Sequence, residues 1–197
     1  TVGYMTTGGY IQRYATDPDG LVALDRGDVL NAVTVSAVTW ALMTLFAGYI
    51  SDYIGRRNTY LIGFILQGIG AAALFPLVNT GSLGLLYGAL IFLTVGLGLT
   101  YGAQSAMYAE LFPASIRATG VSITYALGSV LGGAFAPMIA ASLVEATGTT
   151  FAVSGYLVSA SIVGFICAFI LRERKGIALG AEHEAEQSQG HFIFSPR

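Results

Sequence analysis

The strongest constraint on this chain is where its charges are absent. Residues 29–50, 58–79, 80–109, 118–144 and 146–171 contain no Asp, Glu, Lys or Arg, and each stretch has at least 22 residues. About 20 apolar residues cross the hydrocarbon of a bilayer as a helix. Inside lipid the backbone must satisfy its own hydrogen bonds, which leaves helix as the form for such segments. The chain is 54% hydrophobic and 10% charged, where a soluble domain carries roughly a quarter charged residues. The expected fold is therefore an all-α membrane protein with spans at 29–50, 59–79, 84–108, 119–144 and 150–171. Residues 1–15 (TVGYMTTGGYIQRYA) are apolar and aromatic, but as a helix they reach about 22 Å against roughly 30 Å of hydrocarbon. They are expected to be a partial first span, in a chain whose preceding part is missing and which shows no signal-peptide pattern.

The charges between the blocks orient the spans. One alternate set of connections holds Arg56, Arg57, Arg117, Arg172, Arg174 and Lys175, and the other holds only Arg13 and Arg26 beside four aspartates. An excess of basic residues marks cytoplasmic connections, so the first set and the C-terminus are expected inside. Residues 176–197 are polar and are expected to form a disordered cytoplasmic tail. Cys167 lies within an apolar run and, as the single cysteine, forms no internal disulfide. His183 and His191 lack the companions and spacing of a metal site, so neither metal nor cofactor is expected. A net charge of −2 gives no basic stripe for nucleic acid. No buried acid–base cluster, nucleophile elbow or phosphate-binding Gly-Lys loop is present, which argues against a membrane-embedded enzyme or an ATP-driven pump.

Two connections carry the most specific patterns. In Gly48-Tyr-Ile-Ser-Asp52-Tyr-Ile-Gly55-Arg56-Arg57, Gly55 allows backbone angles closed to other residues. Asp52 can accept from a helix N-terminus, and the arginines can hold carboxylates or helix C-terminal carbonyls. Plain anchoring of the inside face by two arginines explains the loop equally well. In Glu110-Leu-Phe112-Pro113-Ala-Ser115-Ile-Arg117-Ala-Thr119-Gly120, Pro113 ends one helix, and Ser115 or Thr119 can cap the next. Asp52, Arg56, Glu110 and Arg117 fall at one membrane level, and they are expected to form a charge latch between the two loops.

The pattern Gly48-x-x-x-Asp52-x-x-Gly55-Arg56-Arg57 resembles the signature loop of the major facilitator superfamily, departing from it at Tyr53, where that loop often has Arg. Glu110-x-Phe112-Pro113-x-x-x-Arg117-x-x-Gly120 is similar to the superfamily's loop between helices ten and eleven. The stretch AELFPASIRATGVSITYALGSVLGGAFAPMIAASL most resembles metabolite:proton symporters, which include proline/betaine, shikimate, citrate and 2-oxoglutarate carriers. The resemblance covers about residues 1–175. It implies the C-terminal six-helix half of a twelve-helix fold in the inner (plasma) membrane, with residues 1–15 as helix seven. It further implies proton-coupled symport of a small polar or carboxylated metabolite by alternating access. The partners implied are that solute, protons, lipid and an N-terminal six-helix half. A non-transporting structural or channel-like subunit is the competing reading.

A carrier site is expected near the midplane. No ionisable side chain lies at mid-depth in the complete spans, so proton-coupling groups are expected in the other half. Tyr101, Gln104, Ser105 and Tyr108 share one helical face. Tyr101, Gln104 and Ser105, together with Tyr4, Tyr10, Gln12, Tyr125 and Ser129, are the candidate cavity residues. Asn31, Gln67 and Trp40 are read as packing groups. Gly84-x-x-x-Gly88, Gly98-x-x-x-Gly102 and Gly128-x-x-x-Gly132 are expected to let helices approach closely, and Pro137 to kink its helix.

Overall fold

A computed structural model describes residues 3, 6–174 and 176–188. Tyr4, Lys175 and His191 lie outside the described residues. A π-turn at Thr6–Tyr10 leads into α1 (Ile11–Ala15). There follow α2 (Arg26–Ile54), α3 (Arg56–Val78), α4 (Leu83–Leu111), α5 (Arg117–Ser129), a second π-turn (Val130–Ala134), α6 (Ala136–Thr147) and α7 (Phe151–Ile170). A 3-10 turn at Ala181–His183 precedes the short α8 (Glu184–Ser188). The helices α2, α3, α4 and α7, and the broken helix Arg117–Thr147, are each long and apolar enough to cross a membrane. They overrun the charge-free blocks because their terminal turns, at the level of the bilayer surface, accept charge at little cost.

The helix ends follow from local chemistry. The Asp25 carboxylate caps α2 by accepting from the amides of Gly27 (2.7 Å) and Asp28 (3.4 Å). The passage from α2 to α3 turns on Gly55, whose φ of +99° favours glycine and whose N–H donates back to the Ser51 carbonyl. A Cβ there would also displace the Glu173 carboxylate, 2.6 Å away, but it is the backbone conformation that selects glycine.

Helix α4 is the centre of the packing, with α3 and α2 against it and α7 on the far side of α3. Gly63 and Gly96 bring α3 and α4 together, each placed so that a Cβ would meet the other's carbonyl oxygen at 3.0–3.1 Å. Gly98 and Gly102 do the same for α2, facing Met43 and the stretch Thr44–Gly48. The glycines at 84, 88 and 128 behave otherwise: nothing lies within 4 Å of a Cβ built on them. Close approach is thus a property of Gly98 and Gly102, and the expectation fails for Gly84, Gly88 and Gly128 because, among the described residues, nothing packs against them. The bend expected at Pro137 lies just before it. The helix passes through the π-turn Val130–Ala134 and restarts at Ala136 with Pro137 in its first turn, where proline's missing N–H costs nothing.

Two hydrophobic cores sit at opposite ends of the bundle. The larger, around Ile11, Val29, Leu74, Phe75, Val78, Leu86, Leu90, Val153 and Leu157, fills the end away from Arg56 and Arg57. There the Tyr14 hydroxyl donates to Asn79 Oδ1 (2.7 Å) and Asn79 Nδ2 donates to Thr150 Oγ1 (3.0 Å), tying α1, α3 and the start of α7. The smaller, around Tyr60, Ala103, Met107, Leu111 and Ala168, lies at the arginine end. The polar composition after 176 predicts a disordered tail, but residues 176–188 turn back onto the α4–α5 loop, where the Gln187 amide oxygen meets Ala114 and Arg117 while its nitrogen holds the tail's own carbonyls.

Candidate functional site

A cavity of about 410 Å³ opens between the two cores, within the range of small-molecule sites. Helix α3 gives it Tyr60, Phe64 and Gln67, an i, i+4, i+7 stripe. Helix α4 gives Leu97, Thr100, Tyr101, Gln104 and Tyr108; α5 gives Thr124, Tyr125, Gly128 and Ser129; α2 gives Trp40 and α7 gives Ala160. The aromatic rings meet in pairs: Trp40 and Tyr101 with centroids 5.1 Å apart, and Tyr108 and Tyr125 edge-on at 5.4 Å. The Tyr108 hydroxyl lies beside the side chains of Tyr60 and Gln104. Among the described residues lining the cavity none is acidic or basic. The wall is therefore aromatic and amide in character, suited to a solute's apolar faces and neutral hydrogen-bonding groups.

Four candidates from the sequence, Tyr101, Gln104, Tyr125 and Ser129, surround this one space. Ser105 does not line it. At 100° per residue Ser105 falls on the edge of the stripe that Leu97, Tyr101, Gln104 and Tyr108 define, and it is exposed. Tyr10 is also elsewhere, packed against Tyr14 and Phe75 with centroids 5.9 and 6.0 Å away. Gln12 lines a separate groove with Gly9, Arg13, Thr16 and Arg26. Trp40 and Gln67, read from sequence as packing groups, both face the cavity. For Gln67 the signal was the spacing Tyr60-Phe64-Gln67, which is also the spacing of any buried helix face.

Below the cavity the charged loops close the arginine end. Arg56 Nη1 reaches Asp52 Oδ1 at 2.5 Å and donates to Ser51 Oγ at 2.7 Å, while its Nε meets Glu110 Oε1 at 3.2 Å. Glu110 is 8% exposed, so this bond joins α3 to the end of α4 in a largely dry setting. Arg57 binds the last turn of α7, donating to the carbonyls of Ala168 (3.3 Å) and Phe169 (2.6 Å) with its guanidinium 4.9 Å from the Phe169 ring. Cations at a helix C-terminus are favoured by the helix dipole. Glu173 accepts from the Arg57 amide at 2.9 Å, placing an anion at the N-terminus of α3.

Arg117 corrects the expected four-charge latch. Its Nε donates to the carbonyls of Ala109 (2.8 Å) and Phe112 (3.2 Å), its Nη1 to Leu179 (2.9 Å) and its Nη2 to Gln187 Oε1 (3.1 Å). The unpaired carbonyls ending α4 before Pro113 attract it more directly than acids across the loop. Gly120 rests over the Phe112 ring, 2.7 Å from a built Cβ, which sets α5 against this loop. Gly48 packs near the Gly102 carbonyl, 3.8 Å from a built Cβ.

Residues 13–195 match the Major Facilitator Superfamily. The chain belongs to it. Its helices are long and apolar enough to cross a membrane several times, and the relatives it matches carry the names of transport proteins. It is 36% identical over 130 residues to the inner membrane metabolite transport protein YhjE of Escherichia coli strain K12, covering 66% of this chain and 29% of that one. It is 29% identical over 161 residues to the citrate-proton symporter of Klebsiella pneumoniae (81% and 36%). It is 30% identical over 126 residues to the proline/betaine transporter of E. coli strain K12 (64% and 25%). The aligned part is about a third of the length of these relatives.

Two features of this superfamily member were not anticipated from sequence. One is Glu173, the acid just beyond the last apolar block. The other is the tail. Gln187 is buried, its Oε1 accepts from Ala114 N (2.8 Å) and Arg117, and its Nε2 donates to the carbonyls of Ala178 (2.7 Å) and Gly180 (2.9 Å). Arg174 donates to the Gln187 carbonyl at 2.8 Å, and Ser115 donates to Glu184. Burial and the nearby Arg172 push the Arg174 guanidinium below its ordinary pKa, with Glu110 opposing, yet an arginine stays charged.

Proposed function

We propose that this chain is the C-terminal six-helix half of a secondary carrier in the inner membrane, and that its cavity is one wall of the solute site. The single observation carrying this reading is the uncharged cavity between the two cores, closed at the arginine end by the Arg56–Glu110 pair. A second half, supplied by the complete transporter, forms the facing wall, and the two rock about the bound solute to give alternating access. The arginine-rich loops and the tail face the cytoplasm, in keeping with the excess of basic residues there. Breaking and remaking the contacts of Arg56 accompanies opening and closing of that end.

The solute is a small polar or carboxylated metabolite and protons drive its uptake. The citrate-proton symporter and proline/betaine transporter among the relatives support that class. The cavity contributes amides, hydroxyls and aromatic faces and no proton-carrying carboxylate, so the coupling group belongs to the other half. The test is uptake of radiolabelled citrate, shikimate and proline by the complete transporter in proteoliposomes, with and without an imposed proton gradient. Gradient-driven accumulation of one of them is expected. Uptake at the same level without a gradient overturns proton coupling, and absence of uptake overturns the carrier reading.

A further inference from the structure

Gln67 stands near the middle of α3, where Gly63 and Gly96 bring α3 and α4 into backbone contact. From Arg56 it is about 16 Å along the helix at 1.5 Å per residue, far from either polar surface. The residue is only 8% exposed, and it lines the cavity beside Thr100 and Gln104. Its side-chain amide has no hydrogen-bond partner among the described residues, while its polar atoms are not sealed off in the way that the lone hydroxyl of Ser154 is. A buried amide without partners is costly, and native structures keep few such groups unless something else satisfies them. Thr100 does not, because its hydroxyl is committed to the Gly96 and Leu97 carbonyls. Gln104 lies beside the Tyr108 hydroxyl. Apart from Gly3, which its Nε2 approaches to 3.5 Å from a built Cβ, the Gln67 amide faces the cavity and its contents.

We propose that Gln67 is a specificity-determining residue that hydrogen-bonds an uncharged oxygen group of the solute, a hydroxyl or a carbonyl. This rests on the reading of the cavity as the solute site. The choice of an uncharged group follows from the walls. No described lining residue is basic, so a carboxylate brought against the neutral Gln67 amide gives up hydration without gaining a charged partner. A hydroxyl or carbonyl brings no such cost and matches an amide that both donates and accepts. Any solute carboxylate then points toward the facing half.

The test replaces Gln67 by Met, of similar length without hydrogen-bonding groups, alongside Gln104→Met, in the complete transporter in proteoliposomes. Uptake kinetics are measured for whichever of citrate, shikimate and proline is transported. Gln67→Met is expected to raise KM about tenfold, as for one lost hydrogen bond to a largely buried amide, with kcat changed by less than about threefold. Its melting temperature in detergent is expected to stay level or rise, since an unpaired amide has left the interior. A fall in melting temperature with KM unchanged shows a packing role and overturns the inference. If Gln104→Met raises KM and Gln67→Met does not, Gln67 is not a recognition residue and the cavity stands. If neither changes KM, the cavity is not the site and both readings fall. No uptake of any of the three solutes overturns the carrier reading and this inference with it.

Discussion

Arg56 holds two acids of unequal exposure: the Glu110 side chain is 9% exposed and that of Asp52 59%. The bond to Asp52 is screened by water and is worth under about 1 kcal/mol. The bond to Glu110 matters through what its loss leaves behind, an uncompensated buried carboxylate. Arg56→Met is therefore expected to destabilise the protein by about 3 kcal/mol, read as a drop in melting temperature in detergent. Glu110→Gln on the same background is expected to restore most of the loss, because the orphaned charge goes with it. Simple additivity in this double-mutant cycle would show that the pair is not coupled. Arg57 works differently, through two carbonyls and a ring at the end of α7. Arg57→Lys keeps the charge but cannot span Ala168 and Phe169 as a planar fork does, so a loss of about 1 kcal/mol is expected in the same melting assay.

At the scale of helices, glycines in one spacing behave in opposite ways. Gly98→Ala would place a Cβ 2.5 Å from Met43 Cβ and 3.1 Å from the Trp40 carbonyl, forcing α2 and α4 apart. A loss of about 1–3 kcal/mol is expected, with altered Trp40 fluorescence because Trp40 packs on Tyr101. Gly84→Ala and Gly88→Ala meet nothing within 4 Å and are expected to stay within about 0.5 kcal/mol of the parent. Equal losses at all three positions, measured by thermal unfolding, would refute this assignment. The sequence pattern could not make the distinction. A Gly-x-x-x-Gly motif guarantees a smooth patch on a helix, and only the position of the next helix decides whether that patch is used. Span positions were legible for the opposite reason, since lipid excludes charge from every such segment wherever its neighbours lie.

Across the whole molecule, α5 buries none of its own residues, although it carries Thr124, Tyr125, Gly128 and Ser129 on the cavity wall. Its start is held by Arg117 against the last turn of α4 and by the tail through Gln187. Release of that contact is expected to free the wall. Gln187→Ala should speed reaction of a Thr124→Cys thiol with a membrane-impermeant maleimide several-fold, as expected when a weakly packed element is untied. Unchanged labelling with intact expression would show that the tail does not restrain α5. The opposite end is fixed separately, by Tyr14–Asn79–Thr150 and the larger core. Asn79→Ala is expected to cost about 1–3 kcal/mol, because it strands two partly buried hydroxyls, and melting in detergent reads it.

The cavity was half legible. Tyr101, Gln104, Tyr125 and Ser129 stood out as polar groups in apolar helices, while Gln67 and Trp40 looked like packing and Ser105, Tyr10 and Gln12 looked like lining. A helical stripe shows which residues share a face, not what that face meets. The two loops were readable as a charged closure, but Arg117's attachment to carbonyls depends on where α4 ends in space. By itself the sequence determined an all-α membrane protein with five charge-free spans and two distinctive connections, because the energetics of charge in lipid act segment by segment. Only the tertiary structure decided which side chains surround the cavity, which glycines are close contacts and where the tail rests. Those depend on distances between helices, and side-chain hydrogen bonds are made across such distances rather than along the chain.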